Sequence, residues 1–100
     1  MIKEKTYKAL KIFADCSDGT YTVGQFAKIY FQDHWSNGQA RKFVFASANF
    51  LGRLKKQEYI KWFVGFNNSF LYKLTPNGIK AIKEYENELA TPYKELSRFN

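Results

Sequence analysis

The sequence predicts a single small α+β domain made of three helices, a β-hairpin and a closing helix. Two observations point there: segments of helical period come first and give way once to segments of period two, and Thr, Ser and Pro stand at spacings that open helices. The length agrees, because 100 residues with 45% hydrophobic and 19% aromatic side chains can bury one core and leave nothing for a second. The expected folded unit spans residues 1–90, and residues 91–100 form a C-terminal extension that could hold a short helix.

Each element has its own local reason. Residues 3–14 place Tyr7, Leu10, Phe13 and Ala14 on one face at helical spacing, and residues 15–19, with Asp15, Asp18 and Gly19, stop that helix. Thr22 followed by Gln25 has the capping-box spacing, so a second helix runs through Phe26, Ala27, Ile29 and Tyr30. Ser36 and Gln39 repeat the device and open a third, long helix over residues 36–57. Its inward stripe is Phe43, Ser47, Phe50, Leu51 and Leu54, which turns Arg41, Phe45, Asn49, Gly52, Arg53 and Lys56 outward.

After Glu58 the period becomes two. Residues 59–64 and 70–74 are rich in aromatic and β-branched side chains around Gly65-Phe66-Asn67-Asn68-Ser69, which reads as a hairpin. A two-residue loop would set Ile60 against Thr75 and Trp62 against Lys73, mixing buried and solvated positions on both faces. A loop of three or five residues pairs Ile60 with Leu74, Trp62 with Tyr72 and Val64 with Phe70, with an Asn in the left-handed conformation. The opposite face then sets Phe63 against Leu71 and Lys61 against Lys73, a like-charge pair that a phosphate would relieve. Trp35, Trp62 and Tyr72 are expected in the core. Thr75-Pro76 opens the closing helix as N-cap and first helical residue, with Ile79, Ile82, Tyr85, Glu86 and Leu89 as its stripe. Thr91-Pro92 repeats that signal and is expected to start the short terminal helix.

Charge is placed unevenly. The formal net charge is +7, and residues 36–75 carry six of those charges through Arg41, Lys42, Arg53, Lys55, Lys56, Lys61 and Lys73 against the one acid Glu58, while both flanks are nearly neutral. A concentrated basic segment favours a polyanionic partner.

Two stretches resemble the winged helix-turn-helix superfamily, as in bacterial regulators of the MarR and PadR type. Phe50-Leu51-Gly52-Arg53-Leu54-Lys55-Lys56-Gln57-Glu58-Tyr59-Ile60 is similar to a recognition helix running into the first wing strand. Tyr72-Lys73-Leu74-Thr75-Pro76-Asn77-Gly78-Ile79 is similar to the second wing strand entering the next helix. The resemblance implies double-stranded DNA as partner, the third helix in the major groove, and the wing, residues 59–74, on backbone or minor groove. Two departures stand out: relatives of this kind usually carry Gly, suited to a positive φ, where this chain has Glu58, and residues 34–39 replace their short turn before the recognition helix.

Residue chemistry agrees with that implication. Arg41, Lys42, Lys56, Lys61 and Lys73 can neutralise phosphates, and Gln39, Asn49 and Arg53 carry donors and acceptors that could reach base edges. The expected function is a sequence-specific DNA-binding protein, a transcriptional regulator, which pairs as a homodimer through Ile82, Tyr85, Leu89, Tyr93, Leu96 and Phe99. The alternative is a protein-interaction module or a subunit of a larger nucleoprotein assembly, on the strength of outward Phe45, Phe63 and Leu71. An enzyme is not expected. His34 and Cys16 are the single residues of their kinds, so no ordinary His/Cys zinc cluster or Cys-His nucleophile can be assembled, no Gly-rich phosphate loop is present, and no cofactor or effector pocket can be read. One cysteine, no secretory signal and no apolar run of spanning length make a cytoplasmic protein with no membrane partner the expectation.

Overall fold

A computed structural model describes residues 2–16 and 18–99, the side chains of Asn37 and residues 90–99 excepted. The order is α1 (Glu4–Ala14), β1 (Thr20–Tyr21), α2 (Val23–Tyr30), α3 (Ala40–Lys56), β2 (Ile60–Val64), β3 (Phe70–Leu74) and α4 (Pro76–Phe99). Among these residues no helix is long and apolar enough to cross a membrane.

The first helix buries Ala9, Leu10 and Phe13. Ala14 is exposed instead of inward, because it is the last helical residue and points past the stripe that Ala9 completes. Thr22 caps α2 with the full box: its hydroxyl accepts from the Gln25 N–H at 3.1 Å, and the Gln25 side chain accepts from the Thr22 N–H at 2.9 Å. The second expected box does not form. Gln39 N–H donates to the Ser36 carbonyl at 2.9 Å, which closes a 3-10 turn over Asn37–Gln39, and α3 begins at Ala40. Aromatic packing fixes this bend, since Phe31 and half-buried Trp35 both stack on Phe43, at 5.0 and 5.6 Å between ring centroids.

All five expected hairpin pairs are present, from Ile60 with Leu74 to Val64 with Phe70. The loop is residues 65–69, closed by Gly65 N–H to the Ser69 carbonyl at 2.7 Å, and both Asn67 and Asn68 take the left-handed conformation, with φ of 60° and 59°. The sheet has a third strand that the period of the sequence did not announce: β1 pairs with β3 through Thr20–Lys73 and Tyr21–Tyr72, giving the order β1-β3-β2. Two residues are too short to display a period.

Only the base of the hairpin lies over the helices. Ile60 is buried and Tyr72 and Leu74 are half-buried, but Trp62, expected in the core, is 43% exposed, and Val64 and Phe70 are exposed with it. Phe63 and Leu71, expected outward, are half-buried, because they cover each other across the strands and Leu71 lies against Gly65.

The core joins Leu10 and Phe13 of α1, Phe26 of α2, Leu51 and Leu54 of α3, Ile60 of β2 and Ile82 of α4. On its rim, Tyr7 stacks on Tyr85 with centroids 4.3 Å apart and donates to Glu86 at 2.7 Å, which holds that carboxyl below its ordinary range. The contribution of that bond is present above the ordinary Glu titration and is lost as pH falls through the lowered value. The sequence places a break at Thr91-Pro92, yet α4 is one helix from Pro76 to Phe99. A proline removes one backbone donor and crowds the carbonyl four residues back; that kinks a helix and need not end it.

One junction ties these parts together. The Glu58 and Tyr59 N–H groups donate to the Lys55 and Leu54 carbonyls, the double closure of a Schellman motif, with Glu58 at φ 67° where glycine is usual. The Thr75 hydroxyl donates to the Glu58 carbonyl and accepts from the Gly78 N–H, and the Thr75 N–H donates to the Tyr59 carbonyl at 3.1 Å. A Cβ on Gly78 would stand 2.2 Å from that Tyr59 oxygen.

Gly78→Ala is therefore expected to lower stability by roughly 1–3 kcal/mol through overpacking, against the gain of up to ~1 kcal/mol that alanine normally brings to a helix. Glu58→Gly is expected to raise it by about 0.5–1 kcal/mol by relieving the left-handed strain. Urea melts of both variants measure this; a neutral or stabilising Gly78→Ala would show that α4 does not depend on the contact with Tyr59. In the core, Leu54→Ala and Ile60→Ala should each cost about 2–5 kcal/mol, and a loss below about half a kcal/mol at both would contradict the inward assignment.

Candidate nucleic-acid interface

The outer face of α3 follows from its inner one. Burying Phe43, Ser47, Leu51 and Leu54 turns Arg41, Phe45, Asn49, Gly52 and Lys56 to solvent, and all five are exposed. Gln39 and Lys42 are exposed at the start of the helix, and Lys61 and Lys73 are exposed directly opposite each other at the base of the hairpin. Seven of the eight residues singled out from the sequence thus lie across this face or on the hairpin beside it. Arg53 is exposed but sits on the shoulder of α3, its guanidinium 5.8 Å from the centre of the Phe50 ring. There it borders an open groove of about 750 Å³ between the start of α1, the end of α2 and α3, whose walls include Lys3, Tyr30, Phe31 and Phe50.

Two electrostatic features mark this face. The first turn of α3 contains no acidic residue and does contain Arg41 and Lys42, where the helix macrodipole disfavours cations by a few tenths of a kcal/mol each. The second is the distribution of ion pairs. Among the described residues these are Lys8–Glu4, Lys11–Asp15, Lys11–Glu86 and Lys80–Glu84, all in or beside α1 and α4. None of Arg41, Lys42, Arg53, Lys55, Lys56, Lys61 and Lys73 joins one, and this stretch sets seven cations against the one acid Glu58, whereas cations and acids nearly balance in both flanks.

Aromatic side chains extend the surface. Phe45 is 69% exposed in the middle of the α3 face, one turn before Asn49. Lys55 lies over the Trp62 ring at 5.2 Å and so sets the hairpin beside the last turn of α3. At the tip, Phe66 is 89% exposed. Phe66 was not among the expected site residues, although the sequence carried a signal: residues 62–72 hold no charged side chain.

No family model matches the sequence, and no curated protein matches it. Among solved structures, a mutant of MepR from S. aureus superposes with a TM-score of 0.71 at 16% identity, over 99% of this chain and 66% of that one. A transcriptional regulator from Clostridium thermocellum superposes with a TM-score of 0.59 at 19% identity, over 99% of this chain and 98% of that one. The chain therefore spans just under two thirds of the length of the first. At these identities the likeness is one of fold, and it agrees with the helix order and sheet above: the chain has the winged helix-turn-helix fold.

Proposed function

We propose that the chain is a sequence-specific double-stranded DNA-binding protein that regulates transcription, with α3 in the major groove and the wing, β2 and β3, against the backbone. The observation that carries this reading is the concentration of positive charge on α3 and the wing: seven cations between Arg41 and Lys73 against the one acid Glu58, none of the seven in an ion pair among the described residues. Duplex DNA would supply the missing anions, and release of its condensed counterions would drive association. Arg41, Lys42, Lys56, Lys61 and Lys73 would hold phosphates and set the register of α3. Gln39 and Asn49 would offer amides to base edges, and Phe45 an apolar contact for a thymine methyl group. Arg53 on its shoulder would reach the edge of the same groove. A regulator of this kind would act in the cytoplasm, on the chromosome.

The reading as a protein-docking module drew on Phe45, Phe63 and Leu71, of which only Phe45 is exposed. Binding to duplex DNA decides between the two. Asn49→Ala and Arg53→Ala are expected to change sequence preference, whereas Lys61→Ala and Lys73→Ala should weaken all duplexes alike and reduce the salt slope by about one unit each. Competition between matched and scrambled duplexes across salt concentrations measures both. Absence of salt-dependent duplex binding by the parent protein would sink the DNA reading.

We also propose that two copies pair through the C-terminal part of α4, which would double the contact area and match a palindromic site. Of the expected stripe, Ile82 is buried and Tyr85 stacks on Tyr7 within the chain, while Leu89 is 63% exposed. Tyr93, Leu96 and Phe99 lie outside the described side chains. The 24 residues of α4 correspond to a rod of about 36 Å, longer than one wing and one helix need for cover. Sedimentation should give a dimer for the full chain and a monomer for a chain ending at Ala90. A full chain that stays monomeric at high micromolar concentration, free and on DNA, would end the idea.

A further inference from the structure

The wing is charged only at its base. Beyond Lys61 and Lys73 come eleven residues, 62–72, without a single charge, so the distal half of the wing cannot bind by neutralising phosphates. What it offers is Phe66 at the apex, 89% exposed, followed by Asn67, Asn68 and Ser69, all exposed. Hairpin tips ordinarily carry Gly, Asn, Asp or Ser, and a phenylalanine there gains nothing from the core.

The tip is also held in one shape. Gly65 N–H to the Ser69 carbonyl closes it at 2.7 Å, Asn67 and Asn68 both sit in the left-handed region, and a Cβ on Gly65 would come within 2.4 Å of Leu71. Phe66 is thereby presented from a fixed backbone, and little ordering remains to be done on binding.

We propose that Phe66 is a wedge that enters a base step of the bound duplex from the minor groove, with the Asn67 and Asn68 amides hydrogen-bonding to the groove floor beside it. This rests on the DNA reading above. With α3 in the major groove, a hairpin leaving its last turn crosses the adjoining phosphate ridge, where Lys61 and Lys73 meet the backbone. Strands of five residues reach about 17 Å, enough to bring the apex over a minor groove about 6 Å wide. An apolar side chain between base steps unstacks them and kinks the duplex, and Asn side chains suit the acceptors of that groove. A dry protein interface fits the tip less well, because it would bury the amides of Asn67 and Asn68 without partners.

The test uses the duplex recovered by selection from a random pool, with 2-aminopurine placed at successive positions on either side of the α3 contact. The parent protein should raise the fluorescence severalfold at one step and bend the duplex by about 20–90°, read from phased gel mobility. Phe66→Ala should abolish the fluorescence rise and most of the bend, weaken binding about tenfold, and leave the salt slope and thermal melt unchanged, since it removes neither charge nor core. Phe66→Leu, still apolar, should keep part of both signals. Salt-dependent binding by the parent with no fluorescence rise at any position would overturn the wedge and leave the DNA reading standing. Absence of duplex binding would overturn both. A Phe66→Ala variant that binds and bends like the parent but sediments differently would overturn the wedge in favour of a protein contact at the tip.

Discussion

The close approach of Gly78 to the Tyr59 carbonyl is the contact on which the placement of α3 and the wing depends. The backbone of residues 57–59 leaves α3 and enters β2 there, and Thr75 and Gly78 bring β3 and α4 back to the same peptide groups. One cluster of backbone atoms thus fixes the helix that would enter the major groove, both strands of the wing and the direction of the last helix. A side chain at 78 would push α4 away and, through Thr75, move the base of the wing. Glu58 bears strain so that the turn can close in this way, and residues in such conformations persist only where their surroundings over-determine them.

Around that junction the aromatic residues are the main filler. Phe13, Phe26, Tyr30 and Phe50 pack in sequence across α1, α2 and α3, with centroids 5.3 to 6.5 Å apart. Phe31, Phe43 and Trp35 make a second group that braces the bend between α2 and α3. Ring contacts of this kind add to simple area burial and tolerate an irregular connection. They explain how residues 31–36 can form a longer bend than a short turn without loosening α3.

Charge and packing are separated in space. The ion pairs among the described residues lie in or beside α1 and α4, and none of the seven cations of α3 and the wing joins one. Within the wing the separation is repeated on a smaller scale, with two lysines at the base and an uncharged aromatic tip. A surface selected only for solubility would intersperse charges along the hairpin. This one grades from ionic to apolar with distance from α3, which suits a partner that is itself ionic at its ridges and stacked and apolar within.

The elements were legible because each is a local property. The capping box of Thr22 and Gln25, the odd-length loop that keeps Ile60 facing Leu74, and the Thr75-Pro76 opening all depend on neighbours a few residues apart, and the basic face of α3 follows once its apolar stripe is known. What the sequence could not decide is what competes for each group in three dimensions. Ser36 and Gln39 have the spacing of a cap, but the Gln39 N–H goes to the Ser36 carbonyl instead. Trp62 has the alternation of a core residue, yet it meets the Lys55 ammonium and the Phe70 ring and stays 43% exposed. Strand β1 exists only because β3 is beside it, and Arg53 belongs to a shoulder rather than a face because Phe50 lies under it. Period, turn chemistry and composition act along the chain, so the order of elements, the register of the hairpin and the stretch in which positive charge is concentrated could all be read from it. The tertiary structure alone decided how far the wing overhangs the core and which apolar side chains it leaves in water, because burial depends on which elements reach a given point in space.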